Sequence, residues 1–340
     1  MSLSALWYLP TPAQTQRTFA PATYQRLLAN FAVTANPGPE GYTAQQVEER
    51  LGEFDGLVTG WGTPPLSVEA LRRAKRLRII AHSAGSVKHL FTQEQINDQL
   101  IPRQLCVTSA NSAIALNVAE HTVGALIALC RQWFEHARNI REKGIWHDPA
   151  IPRSGQYLRG ATIGMVSAST VGREVIHLLQ PFDVKILVYD PLLSDWDAGR
   201  LGVQRVELDE VFRRADMVTV HAPKLPETYH LIGAQQLRLL RDGAVFINTS
   251  RGSVLDHEAL LAEAGSGRFL VQLDVTDPEP LPADHPLRAL ENVVITPHTS
   301  GAGQYGYHRI GEFTLSALEA FFQHRPVIGQ VDLKRWAQLA

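Results

Sequence analysis

Ala161-Thr162-Ile163-Gly164-Met165-Val166-Ser167-Ala168-Ser169-Thr170-Val171-Gly172 is the stretch on which the reading of this chain turns. A short run of apolar and β-branched residues ends in a turn of small residues, and a helical pattern follows from Val171 to Leu179. That is a buried strand running through a tight turn into a helix. The alternation then repeats. Strands are predicted at Ala161 to Val166, Lys185 to Tyr189, Met217 to Val220, Ala244 to Asn248, Leu270 to Leu273 and Val293 to Ile295, with helices at Leu208 to Arg214, Ala234 to Leu239 and His257 to Ala264. Apolar strands alternating with crossover helices predict an α/β domain built on a parallel sheet.

Working outward, the first third shows the same rhythm on a smaller scale. Strands are predicted at Leu6 to Leu9, Gly56 to Thr59, Arg78 to Ala81 and Leu105 to Thr108, with helices near Pro21 to Phe31, Ala44 to Leu51, Ser67 to Ala74 and Thr92 to Asp98. Between the two alternations, Ala119, Val123, Leu126, Cys130, Trp133, Ala137 and Ile140 recur at steps of four and three. This predicts one long amphipathic helix, capped by Asn117 and stopped by Gly144, that serves as an interdomain strut and a meeting surface for a second subunit. Arg153 to Gly160 reads as a surface connection, and a last amphipathic helix is expected from Gln304 to Gln323.

Composition narrows the class. At 340 residues the chain suits two domains. Hydrophobic residues make up 45% and charged residues 19%, the balance of a globular protein, and the formal net charge of -2 offers no field for nucleic acid. No apolar run suggests a membrane span and no secretion signal is read at the N-terminus. Cys106 and Cys130, the two cysteines, fall in apolar strand and helix contexts and read as core packing in a reducing, cytoplasmic setting. No cluster of His, Cys or acids has metal-ligand spacing, so no metal is expected.

The turn after Val166 stands where a G-x-G-x-x-G loop cradles a pyrophosphate, although Ser167 and Ser169 replace the first two glycines. Ser169, Thr170, Val171 and Gly172 open the following helix, whose free N-H groups suit an anion, and Ser169 is expected to offset the lost closeness with its hydroxyl. Asp190 closes the next strand, where an acid binds the ribose 2′-OH of NAD and repels the 2′-phosphate of NADP. Loop, acid and the six-strand pattern together predict a nicotinamide dinucleotide site, with NAD preferred to NADP. Replacing Ser167 and Ser169 by glycine is expected to leave NADH binding unchanged or to tighten it.

Three segments further on carry side chains with complementary chemistry. They are Asn248-Thr249-Ser250-Arg251-Gly252, Asp274-Val275-Thr276-Asp277-Pro278-Glu279-Pro280 and Thr296-Pro297-His298-Thr299-Ser300-Gly301. Each follows a predicted parallel strand, the end at which open α/β sheets bind ligands. Arg251 can fork onto a carboxylate and a carbonyl oxygen, His298 can carry one proton near neutrality, and Glu279 can hold that histidine charged. Reversible reduction of a 2-oxo acid needs those three abilities.

These motifs, in this order, resemble those of the D-isomer-specific 2-hydroxyacid dehydrogenases, together with Val218-Thr219-Val220-His221-Ala222-Pro223 and over a span from about Gly56 to Gln323. The resemblance implies two Rossmann-like domains, with a substrate domain of residues 1–116 and 304–340 split around an inserted NAD-binding domain of residues 117–303. It also implies a homodimer built on the 118–142 helix. Residue by residue, Arg251 resembles the substrate-binding arginine, His298 the proton donor, Glu279 its partner, and Asp274 the acid that contacts the nicotinamide carboxamide. Thr170 and Val171 fall at the pyrophosphate. Ala222, Thr249, Ser250 and Gly301 border the cofactor, while Ala84, Gly85 and Ser86 lie in the loop that receives the substrate carboxylate.

Departures from the family pattern bear on the substrate. Lys88 stands where an Asp is usual and is read either as a plain surface lysine or as positive potential near the pocket mouth that favours a dianionic substrate; Trp61 sits where smaller residues are common and is read either as packing or as a pocket wall that narrows the pocket or stacks on an aromatic substrate. The expected activity is hydride exchange between NAD(H) and a small 2-oxo or D-2-hydroxy acid. An NAD(H)-sensing binding protein of the same fold, or a degenerate homologue, shares the same site residues.

Overall fold

The structure, a computed structural model, describes residues 3–149, 151 and 156–338, so residues 153–155 of the expected surface connection lie outside the described residues. The chain divides into one unit of residues 1–114 and 302–340 and a second of residues 115–301.

In the first unit five parallel strands, β1 (Ala5–Tyr8), β2 (Ala32–Ala35), β3 (Gly56–Thr59), β4 (Ile79–His82) and β5 (Cys106–Ser109), lie in the order β2-β1-β3-β4-β5. One face buries Trp7, Leu57, Ile80 and Val107, and the other buries Leu6, Tyr8, Ile79 and Cys106 against Leu315 and Leu318 of the helix Gln304–Phe322. Burial on both faces is why these strands read as apolar runs. β2 escapes that signal because it lies at the sheet edge and is only partly covered. The helix Pro12–Thr18 is also absent from the sequence reading; its Gln and Thr residues carry no apolar stripe, and a Thr11–Gln14 capping box starts it instead.

Seven parallel strands build the second unit, in the order β12-β11-β10-β9-β6-β7-β8. They are β6 (Thr162–Val166), β7 (Lys185–Tyr189), β8 (Gln204–Arg205), β9 (Met217–Val220), β10 (Val245–Asn248), β11 (Leu270–Leu273) and β12 (Val293–Ile295). Six match the expected strands; β8 is a two-residue exposed edge with no apolar pattern to betray it. The strand order reverses between β6 and β9, the switch point where doubly wound sheets bind ligands.

The expected long helix is corrected in extent. It runs Asn111–Cys130 and breaks at Gln132, whose φ of +53° is left-handed, before a short helix Trp133–Arg138. Asn117 is therefore interior to the helix, and its side chain donates to the Gly301 carbonyl at 3.0 Å. The break resets the helical phase. Ala119, Val123, Leu126 and Cys130 are buried, whereas Trp133 and Ile140 are exposed. By length and composition Asn111–Cys130 is apolar enough to cross a membrane, contrary to the sequence reading. Its apolar residues Ala119, Leu126 and Leu129 are instead buried in one cluster with Ile163, Val188, Met217 and Ile247 of the second sheet. Both cysteines are buried and unpaired, and burial pushes the Cys106 thiol up to about 11.

Candidate active site

The turn after β6 is tighter than its serines suggest. Ser167 adopts a φ of +80°, a conformation glycine takes freely and other residues take at a cost. Its hydroxyl donates to Asp190 Oδ2 at 3.1 Å, and the Ala168 N-H donates to the same oxygen at 2.9 Å. Asp190 Oδ1 accepts the Leu192 N-H at 2.8 Å. The acid at the end of β7 is thus fixed in orientation by the loop it serves. Ser169 is the N-cap of the helix Thr170–Leu179: its hydroxyl accepts the Gly172 N-H at 3.4 Å and donates to the His221 carbonyl at 2.8 Å. The hydroxyl expected to compensate for a missing glycine is therefore committed to the helix end. Gly172 cannot be replaced, since a Cβ there would fall 2.4 Å from the Ser167 carbonyl oxygen. Close backbone passage and an open helix start at Thr170 and Val171 fit a pyrophosphate, and the oriented Asp190 fits a ribose diol.

Ala222, buried at 3% exposure, follows His221 just past β9. His221 is itself buried, with Nε2 placed 3.1 Å from the Thr219 hydroxyl and Nδ1 without a partner. Burial pushes it down to about 3, so it is neutral.

β10, β11 and β12 are neighbours, and the three motifs leave their adjacent ends. Asn248 organises the first. Its Oδ1 accepts from the Ser250 N-H at 3.0 Å and hydroxyl at 2.8 Å, and its Nδ2 donates to the Arg251 carbonyl at 3.1 Å. The sequence reading passed over Asn248, although Asn ahead of a turn is a recognised device for bonding the backbone two residues on. Thr249 is buried and its hydroxyl meets that of Thr122 at 3.3 Å. At Gly252 a Cβ would fall 2.0 Å from the Thr276 carbonyl oxygen, so the Arg251 turn lies flat against the segment after β11. Arg251 donates to the Ser250 carbonyl at 2.7 Å. Burial holds its guanidinium below the usual arginine range, opposed by the nearby charge of Glu279.

Asp274 is 1% exposed. Its carboxylate accepts from the Thr296 hydroxyl at 2.6 Å and the Thr299 and Ser300 N-H groups at 2.8 Å each. Burial alone would raise its pKa, but these hydrogen bonds outweigh burial and hold the carboxyl below the usual range. Its visible work is to shape the turn that carries His298. That histidine sits at a φ of +51°, its N-H donates to the Asp274 carbonyl at 2.9 Å, and its Nδ1 lies 2.6 Å from Glu279 Oε1. Glu279 and His298 are about half exposed. The sequence-derived pair is therefore assembled, with Arg251 near enough to Glu279 to feel its charge.

In the first unit, Ser83 donates to the Thr59 carbonyl at 2.7 Å and the Ser109 hydroxyl donates to the Gly85 carbonyl at 2.5 Å, which pins the loop holding Ala84, Gly85 and Ser86. Trp61 is 37% exposed. The Lys88 ammonium lies 5.6 Å from the Trp336 ring centroid and donates to the Ala337 carbonyl.

Comparison with known proteins follows the same geometry. Residues 123–300 match the family model described as D-isomer specific 2-hydroxyacid dehydrogenase, NAD binding domain. The glyoxylate reductase of Korarchaeum cryptofilum is 33% identical over 277 residues, 80% of this chain and 81% of that one. The hydroxypyruvate reductase of Thermotoga maritima is 31% identical over 76% of this chain and 82% of its own length. A phosphoglycerate oxidoreductase from Rhizobium etli superposes with a TM-score of 0.83 over 98% of this chain and 99% of that one, and at 24% identity it attests the fold. The chain belongs to the NAD-dependent D-isomer specific 2-hydroxyacid dehydrogenases.

Proposed function

We propose that the chain interconverts a small 2-oxo acid and its D-2-hydroxy acid, with Arg251, Glu279 and His298 as the working side chains. The observation that carries this reading is the 2.6 Å contact between His298 Nδ1 and Glu279, placed beside Arg251 on adjacent strand ends. When bound, NADH supplies the hydride.

Arg251 forks onto the substrate carboxylate and 2-oxo oxygen, which orients the carbonyl carbon for attack. His298, with Nδ1 engaged by Glu279, presents Nε2 to the carbonyl oxygen and gives up a proton as that oxygen gains the C=O electron pair. The carbon takes the hydride, the oxygen takes the proton, and a hydroxyl results. In the reverse direction neutral His298 removes the hydroxyl proton as the hydride leaves.

Ser169, Thr170, Val171 and Gly172 receive the pyrophosphate, Asp190 the adenosine ribose, and Asp274, through its hold on the 296–300 turn, the carboxamide end; Ala222, Thr249, Ser250 and Gly301 border the cofactor. Asp190 favours NAD over NADP. In the first unit, the backbone of Ala84, Gly85 and Ser86 receives the substrate carboxylate, and Trp61 borders the pocket.

A homodimer is part of the same proposal. Its support is the apolar surface left after the helix break, where Trp133, Phe134, Ile140 and Trp146 are exposed. Light scattering should give twice the chain mass.

The central test follows NADH absorbance with glyoxylate, hydroxypyruvate, phenylpyruvate and oxaloacetate, alongside direct NADH titration. Turnover of at least one acid is expected. Binding of NADH without turnover of any would overturn the catalytic reading.

A further inference from the structure

Arg17, in the helix Pro12–Thr18, is the hub of an aromatic cluster in the first unit. Its guanidinium carbon lies 4.4 Å from the Tyr307 ring centroid and 5.5 Å from that of Trp61, and it donates to the Tyr307 hydroxyl at 2.7 Å. The two rings meet edge to face at 5.7 Å. The Gln14 side chain, on the same helix, donates to the Trp61 carbonyl at 2.6 Å. Arg26, Arg50, Arg72, Arg73 and Arg76 of this unit each pair with a carboxylate, while Arg78 lies over the Phe321 and Phe322 rings and Arg103 donates to backbone carbonyls. Among the described residues Arg17 has no such partner, so its charge is met by ring faces rather than by an acid.

Its location gives the charge a use. Trp61 leaves the end of β3 beside the end of β4, where Thr59 pairs with His82 and the Ser83 hydroxyl bonds the Thr59 carbonyl. A Cβ on Gly60 would lie 3.5 Å from Ser83 Oγ. Tyr307 packs in one apolar group with Ile114, whose Cδ1 lies 3.6 Å from where Gly85 would carry a Cβ. The cluster therefore borders, from two directions, the loop proposed to receive the 2-oxo acid carboxylate.

We infer that Arg17 binds a second carboxylate at the far end of the substrate, which narrows the preferred substrates to dicarboxylic 2-oxo acids; this rests on the reductase reading above. A guanidinium packed against two rings and tied to the Tyr307 hydroxyl has lost much of its conformational freedom before the ligand arrives, and its remaining N-H groups are left to donate to a carboxylate. One positive charge matches one carboxylate. A phosphate dianion calls for more, and Lys88 is already engaged with the Trp336 ring and the Ala337 carbonyl.

The test compares kcat/KM for oxaloacetate, pyruvate and phenylpyruvate in the wild type, Arg17→Leu and Arg17→Lys. The wild type should favour oxaloacetate over pyruvate by tenfold or more, on the order expected for a charge-assisted hydrogen bond. Arg17→Leu should erase that ratio, mainly through KM, and Arg17→Lys should keep part of it. NADH affinity and Tm should not move in either variant. Should Arg17→Leu fail to fold, Tyr307→Phe, which removes the hydroxyl that steers Arg17, should lower the same ratio by a smaller factor. A wild type that reduces pyruvate or phenylpyruvate as well as oxaloacetate, or an Arg17→Leu variant that loses all three equally, overturns the inference and leaves the reductase standing. Failure of every acid to react while NADH still binds removes the reductase reading and the inference with it.

Discussion

At the scale of single residues the chemistry turns on where one proton resides. Reduction takes a proton up through His298 and oxidation gives one back, so low pH should favour the reductive rate and high pH the oxidative one. Pre-steady-state rates in both directions should therefore place the reductive optimum at the lower pH, and coincident profiles would contradict the role given to His298. His298→Gln should lose a factor of roughly 10² to 10⁴ in kcat while NADH binding persists. Arg251, Glu279 and His298 were legible in the sequence because each follows an apolar strand in a fixed order. The grip on Asp190 was not. Nothing in the one-dimensional pattern reveals that Ser167 takes a left-handed φ and places its hydroxyl 3.1 Å from Asp190. That geometry revises the expected outcome of Ser167→Gly. Relief of the backbone strain and loss of one hydrogen bond, each about 1 kcal/mol, should nearly cancel in Tm. Asp190, held by one donor fewer, should discriminate less well between NADH and NADPH, as paired titrations would register.

Elements were read well where burial wrote a pattern and poorly where it did not. The doubly covered strands β3, β6, β7 and β9 stand within a residue of expectation, whereas β8 and the helix Pro12–Thr18 are too short or too polar to leave a periodic trace. The long helix shows the opposite failure. Its stripe from Ala119 to Ile140 is continuous in sequence, but one left-handed residue at Gln132 divides it into a buried half and an exposed half. The turn at 296–300 makes the same point for function, since its shape depends on a buried acid 22 or more residues earlier in the chain. Asp274→Asn keeps the size but places an amide against three donors. A loss of roughly 2 to 3 kcal/mol by denaturant titration is expected, with kcat reduced as the His298 turn loosens; unchanged stability would show that the turn holds without the acid.

For the molecule as a whole, each unit buries a histidine that stays neutral. His82, 2.8 Å from the Thr59 hydroxyl, and His221 are both pushed down to about 3 by burial. The unfolded chain binds protons at these sites below its reference value of about 6.5. Between that pH and about 3 the unfolded state therefore holds more protons than the native one, and stability falls as pH falls, by on the order of 1 kcal/mol per pH unit for each site. Urea titrations from pH 7 to pH 4 should show this slope, and His221→Gln should remove its share of the pH dependence; a flat profile would mean the rings are protonated in the fold. Nothing in the linear sequence marks these two histidines as buried, because burial on both sheet faces is a property of the assembled layers. The split first unit has a further consequence for synthesis on the ribosome. By the time residue 301 has emerged, the second unit has every strand it needs, while the first sheet still waits for the helix that brings Leu315 and Leu318. Leu6, Tyr8, Ile79 and Cys106 spend that interval without their final cover, so the unit whose translation starts first is the last to complete its core.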